Sequence, residues 1–152
     1  MSIEIQIAYN NFPRIRKNAK AGARKIVLDT SKKVHTHILA SMLQPKHGRV
    51  YRRRGRYHRA SAPGEAPARD WGNYYKSIRN KWASGTSGTQ WAGNYTRLVY
   101  TKGVPGKPDL PIWLERGTSR MKKRPHFKPA AKKYRSKFQK DMKQYLKRIG
   151  AV

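Results

Sequence analysis

Apolar residues recur along this chain at two different periods. Ile3, Ile5 and Ile7 alternate with Glu4 and Gln6, and that period of two predicts a half-buried strand over residues 2 to 9, broken by Asn10, Asn11 and Pro13. From Arg14 to Leu43 the period lengthens. Ile15, Ala19, Ala23, Ile26, Val27, Val34, Ile38 and Met42 recur mostly at helical steps with Lys and Arg between them, which predicts one long amphipathic helix stopped near Pro45. Phe127, Ala131, Tyr134, Phe138, Met142, Tyr145 and Ile149 repeat that stepping and predict a second helix, whose other face is almost all Lys and Arg.

Between the helices the pattern is less regular. Residues 46 to 59 carry Lys46, Arg49, Arg52, Arg53, Arg54, Arg56 and Arg59, interleaved with Tyr51 and Tyr57 and without an acid, and read as an exposed arm or long loop. Ala60 to Pro67 is a turn region held by its contacts, because two prolines and a glycine disfavour regular structure. Asp70 stands where it would cap a short helix through Tyr74, Tyr75 and Ile78. Strands near 78 to 84, 88 to 93 and 95 to 101 alternate around Ile78, Trp82, Trp91, Tyr95 and Val99, with Gly85, Gly88 and Gly93 at the turns. A Gly/Pro-rich loop from Lys102 to Pro108 leads into apolar Leu110 to Leu114 and then polar Glu115 to Ser119. These elements predict an α+β fold: an antiparallel sheet with the long N-terminal helix and the C-terminal helix packed on one face. Residues 1–152 are expected to form a single domain, and the sequence shows no internal repeat.

Composition adds a partner to that outline. Only 37% of the residues are hydrophobic, mean hydropathy is −0.94 and the formal net charge is +29, a combination that folds poorly unassisted. Four Trp, nine Tyr and three Phe supply large areas to bury, so the expectation is a marginal monomer stabilised by assembly. A charge of +29 calls for a polyanion, and DNA, RNA, anionic lipid and an acidic protein surface all fit on charge alone. The lack of cysteine excludes disulfides, thiol nucleophiles and thiolate metal sites. No apolar run approaches the roughly 20 residues of a membrane span, and Met1 to Ile5 has no basic-then-apolar leader, so a soluble chain that stays where it is made is expected.

Candidate chemistry is sparse. His35 and His37 lie two apart on the predicted helix, roughly 200° around its axis, and cannot chelate one ion. Glu4, Asp29, Glu65, Asp70, Asp109, Glu115 and Asp141 are scattered among basic residues and offer no carboxylate pair, so neither an enzyme nor a metal or other cofactor is expected. Glu115 is expected to pair with a nearby arginine. Gly117-Thr118-Ser119 lacks the Gly-x-x-x-x-Gly-Lys-Ser/Thr pattern of a phosphate-cradling loop. The candidate contacts to DNA or an acidic partner are Arg49, Arg52, Arg53, Arg54, Arg56 and Arg59 on the arm, with Lys132, Lys133, Lys137 and Lys140 on the terminal helix. The competing reading of the arm is a solvated loop that orders on a neighbouring subunit. For the helix it is a solvated charged face.

Two segments go beyond composition. Ala60-Ser61-Ala62-Pro63-Gly64-Glu65-Ala66-Pro67-Ala68-Arg69-Asp70-Trp71-Gly72, closing with Lys76-Ser77-Ile78, resembles the "SAPGxPPxxDTG…L…SI" segment of the tail-completion (neck) proteins of long-tailed bacteriophages. Leu114-Glu115-Arg116-Gly117-Thr118-Ser119-Arg120-Met121, with Arg124-Pro125-His126-Phe127-Lys128-Pro129-Ala130, resembles the same family's "EFGTSKM…RPFLRPAL" segment. They occur in the family's order, before and after the predicted meander, and the resemblance spans roughly the whole chain. Trp71 stands where the family has Thr, Tyr74 and Tyr75 where Leu is common, and the arginine-rich stretch 46 to 59 is expanded.

The resemblance implies a structural virion protein made in the host cytoplasm and placed at the head-to-tail junction, as a ring of copies joining the tail tube to the DNA-filled head. Its partners would be further copies of itself, tail-tube or tail-terminator and head-closure proteins, and the double-stranded DNA in the channel, with no membrane. It also implies subunit contacts through Pro63, Gly64, Pro67, Asp70, Trp71, Gly72, Glu115, Gly117, Thr118, Ser119, Pro125 and Phe127. The alternative is a stand-alone, nonspecific nucleic-acid-binding protein of ribosomal or architectural type. A nuclease would need a metal or an activated water that these residues do not position.

Overall fold

The computed structural model describes residues 12–82, 97–101, 104–107 and 109–150. The strand expected at 2 to 9 and the middle of the expected meander, 83 to 96, lie outside the described residues. The elements run α1 (Phe12–Leu43), β1 (Val50–Arg53), β2 (Arg56–Arg59), α2 (Asn73–Ser77), β3 (Ile78–Trp82), β4 (Arg97–Thr101), α3 (Leu110–Arg116) and α4 (Phe127–Arg148). The fold is mixed, as expected, with long helices at either end of the chain and antiparallel strand pairs between.

Helix α1 holds 32 residues and is about 48 Å long at the helical rise. Its stripe of Val34, Ile38, Leu39 and Met42 packs with Ile78 at the start of β3 and with Phe127 and Ala130 in the first turns of α4, where the core sits. Ile38 and Ala130 are fully buried and Met42 nearly so. Helix α1 also lies against the β3–β4 pair, which joins Ile78 to Thr101 and Trp82 to Arg97. Further along, α4 stays against α1 because Gly22 has no side chain: a Cβ there would fall on the Tyr145 ring. The Tyr145 hydroxyl donates to the carbonyl of Asn18 across the same contact.

Three expectations are corrected. Residues 46 to 59, expected as an exposed arm or long loop, contain regular structure: Val50–Arg53 and Arg56–Arg59 form a hairpin, with Val50 opposite Arg59 and Arg53 opposite Arg56. Its two-residue turn, Arg54-Gly55, has φ of 50° and 78°, the doubly left-handed geometry that matches the twist of a tight hairpin. Asp70 does not cap α2, because that helix begins at Asn73 and Gly72 (φ 81°) occupies the cap position. Glu115 does not rely on an arginine: its carboxylate accepts from the backbone N–H groups of His126, Phe127 and Lys128. Among the described residues no helix is long and apolar enough to cross a membrane.

Candidate nucleic-acid interface

The two segments singled out in the sequence close on one another. The Gly64 N–H donates to the carbonyl of Lys123 (2.9 Å), and the Arg124 guanidinium Nε donates to the carbonyl of Ser61 (3.2 Å). Helix α3 ends at Gly117, whose φ of 82° carries the chain into a closed turn between Thr118 and Met121. A Cβ at Gly117 would lie 2.8 Å from the Met121 carbonyl oxygen, so the reversal needs glycine. Arg124 N–H then donates back to the carbonyl of Leu114 (2.6 Å), which brings the chain beside α3 before α4 starts.

Glu115 fastens that return. The cap residue of α4, His126, makes no side-chain capping bond. Glu115 supplies the missing acceptor from α3: Oε2 accepts from the N–H groups of His126 (3.0 Å) and Phe127 (3.2 Å), and Oε1 from that of Lys128 (2.9 Å). A carboxylate here also faces the positive end of the helix dipole. His126 Nδ1 lies 3.2 Å from both Glu115 Oε2 and the Arg124 carbonyl. Both neighbours accept only, so Nδ1 carries the ring proton and Nε2 accepts from the Tyr74 hydroxyl at 2.6 Å. Burial of His126 outweighs the attraction of Glu115 and lowers its pKa from the ordinary 6.5. Burial, with the Glu115 charge second, raises the pKa of Tyr74.

A second carboxylate anchors the base of the hairpin. Glu65 Oε1 pairs with His47 Nδ1 (2.6 Å) while Oε2 accepts from the N–H groups of Ala62 (2.8 Å) and His47 (3.2 Å). The His47 ring and the Ala62 amide hold the Glu65 carboxyl at about 2, below its ordinary 4.5. Gly48 N–H to the Ala60 carbonyl and Ala60 N–H to the Arg49 carbonyl, both 3.0 Å, continue the hairpin ladder downward.

Strand alternation sorts the hairpin's side chains into two faces, since residues opposite one another in an antiparallel pair share a face. Tyr51, Arg56 and His58 look toward the 67–75 segment: His58 Nδ1 is 3.8 Å from Asp70, and the Tyr51 and His58 rings meet edge to face at 5.2 Å. Val50, Arg52, Tyr57 and Arg59 look outward, and Tyr57 is 78% exposed. Arg52 lies over the Tyr57 ring, its guanidinium carbon 6.0 Å from the centre. Arg54 from the turn and Arg56 from β2 both lie over Trp71, at 5.7 and 5.9 Å. A cleft of about 490 Å³ opens beneath, bordered by Tyr51, Trp71, Tyr75, Arg69 and Leu110.

The candidate residues are therefore divided by the fold. Arg49, Arg52, Arg54, Arg56 and Arg59 are exposed along the hairpin, and Arg53 sits in β1 with its side chain outside the described residues. Lys132, Lys133, Lys137 and Lys140 are exposed on α4, with Lys137 paired to Asp141 at 3.2 Å. Of the residues that the resemblance places in subunit contacts, Pro63, Gly64, Asp70, Trp71, Thr118 and Ser119 are exposed. Pro67 and Gly72 are buried, Pro125 and Gly117 half-buried, Phe127 packs on the core, and Glu115 is engaged within the chain.

Sequence reasoning missed Ile112 and Trp113, 53% and 41% exposed on α3. Helical spacing is the signal that finds them. Leu110 and Leu114 fall on one stripe, Leu114 is buried, and the two residues between are turned away from it. It also missed Tyr74 and His126, whose pairing joins residues 52 positions apart. His35 and His37 diverge: His35 Nε2 is 3.4 Å from the Ile78 carbonyl, and the His37 ring meets Tyr134 at 5.8 Å. Among the described residues no three His, Asp or Glu side chains gather as a metal site. Compared with models of protein families, with curated proteins and with solved structures, the chain matches none.

Proposed function

We propose that this chain is a noncatalytic, ring-forming tail-completion (neck) subunit of a long-tailed bacteriophage, joining the tail tube to the filled head around the DNA channel. The observation that carries the reading is the closure of the two family-like segments on each other, through Gly64 to Lys123, Arg124 to Ser61 and Tyr74 to His126. Residues about 60 positions apart that resemble one family in order also act as one structural unit. Two further features agree with an assembling subunit. The buried hydrophobic core of the described residues is small, and Ile112 and Trp113 stand exposed beside the Thr118–Met121 turn, where an apolar contact with a neighbour would cover them. The basic hairpin and α4 face then supply the positive surface that a DNA-filled lumen compensates.

The test is to mix the purified protein with tail tubes lacking it and view them by electron microscopy. A ring at one end of the tube is the expected result. The stand-alone nucleic-acid binder is favoured by a different observation, the arginine-rich hairpin carrying the exposed rings of Tyr51 and Tyr57. It replaces the neck reading if no ring forms while free duplex DNA or RNA is bound tightly and loses affinity steeply with salt. Absence of the protein from purified particles also overturns the neck reading.

A further inference from the structure

The basic residues of the hairpin and of α4 differ in type. Between residues 49 and 59 there are six arginines and no lysine or acid, whereas Phe127–Arg148 holds seven lysines, two arginines and one acid. The two cations differ physically. Guanidinium is planar, weakly hydrated, stacks on aromatic rings and offers paired N–H groups that match two phosphate oxygens, while ammonium is a strongly hydrated point charge. Cation–π contacts place Arg54 and Arg56 over Trp71 and Arg52 over Tyr57, with guanidinium carbons 5.7, 5.9 and 6.0 Å from the ring centres, and consume none of their donors. The ribbon that carries them is tied at its base by the Glu65 clamp and the Gly48 and Ala60 bonds, so little order remains to be gained on binding.

We propose that this hairpin is a binding site for the phosphodiester backbone of double-stranded DNA, with Arg52 and Arg59 on its outer face and Arg54 and Arg56 at its tip as the contacts, and with Trp71 as their positioning residue. The ribbon is two strands wide, and a two-stranded ribbon is among the elements that the major groove of about 12 Å admits. The contacts are to phosphate and carry no base preference. Trp71 thereby acquires a role different from the subunit contact that the family resemblance implies. The inference deepens the DNA half of the reading above and is separable from the ring: tubes can acquire rings while the hairpin variants bind DNA normally, and the reverse.

Binding of the full-length protein to a fluorescent random-sequence duplex is followed by anisotropy across a salt series, with a single strand of equal length and polyglutamate as competitors. R52Q/R56Q/R59Q is compared with K20Q/K25Q/K32Q, three exposed α1 lysines that remove equal charge. The hairpin triple is expected to lower the slope of log affinity against log salt by about 3 and to weaken binding on the order of a hundredfold near physiological salt, with the α1 triple changing the slope by less than about 1. W71A is expected to weaken binding several-fold and W71F to restore most of it. R54K/R56K, which keeps the charge but replaces the guanidinium over Trp71 with a hydrated ammonium, should behave like W71A. Equal losses from the two triples overturn the site in favour of bulk charge. Polyglutamate competing as well as duplex per charge, or the single strand binding more tightly than the duplex, overturns the ligand. Unchanged affinity in both W71A and R54K/R56K overturns the positioning role.

Discussion

The junction around His126 and the hairpin around Gly55 are both built from polar residues, and they use them in opposite ways. At the junction every named polar group closes on another within the chain: the Glu115 carboxylate takes three backbone N–H groups, and both His126 nitrogens have partners. At the hairpin the arginines meet Trp71 and Tyr57 through ring faces, which fixes a cation without using its donors. Saturated polar groups hold a fold together, while placed cations with free donors await a ligand. The difference separates stability from binding.

Removing the Glu115 carboxylate is the strongest way to break that separation. E115A leaves three N–H groups at the start of α4 without their acceptor and deprives the helix of its cap. A loss of about 3 kcal/mol is expected, from cap removal plus unsatisfied partly buried donors. Urea denaturation followed by circular dichroism measures it. The folded fraction should keep its affinity for duplex DNA. A loss below about 0.5 kcal/mol would mean that Glu115 serves an interface and not the fold.

Y74F is a milder version of the same test. It keeps the ring beside the core but leaves His126 Nε2 buried without its hydroxyl donor, an expected loss of about 1.5 kcal/mol in the same assay. A neutral result would show that the hydroxyl contributes little to holding His126.

Acid should dissect the junction from the hairpin base in two stages. The native state disfavours the His126 proton, so the unfolded chain binds more protons below 6.5 and stability falls as the pH drops past that value. Glu65 behaves as a carboxylate with a depressed pKa. Its contribution is present above 4.5 and disappears as the pH falls from there toward about 2. Denaturation midpoints measured from above the first value to below the second should show the upper stage vanish in H126N and the lower one in E65Q. A single stage common to all three proteins would contradict the assignment.

How much of this was legible in the sequence varied with the kind of interaction. The two long helices were readable because their stripes, Val34 to Met42 and Phe127 to Tyr145, need only a count of positions. The hairpin was not, because its turn places Arg54 where asparagine, aspartate or glycine is usual, and its short strands, Val-Tyr-Arg-Arg and Arg-Tyr-His-Arg, carry no apolar–polar alternation. Asp70 looked like a cap by residue type, yet helix α2 begins after Gly72. Glu115 looked like half of an ion pair because arginines surround it in sequence; its partners are mainly backbone N–H groups, which no side-chain pattern displays. The family-like segments were visible, but their mutual packing depends on bonds across the chain, such as Arg124 to Ser61.

The smallest expected effect comes from a surface that belongs to neither region. Lys137 and Asp141 pair at 3.2 Å one turn apart on α4, with side chains 56% and 33% exposed. Water screens such a pair, and ordering a lysine side chain offsets most of the attraction, so D141N should change stability by less than about 0.5 kcal/mol. The same substitution adds one unit of positive charge to the lysine face and frees Lys137 from its partner. If α4 bound DNA as the hairpin does, affinity and salt slope would both rise; if α4 is a solvated face, neither should move beyond the small long-range gain from charge. Titration of D141N against the random duplex at two salt concentrations decides between them. A rise in slope approaching that of one phosphate contact would place α4 beside the hairpin in the DNA interface and remove the contrast between the two basic surfaces.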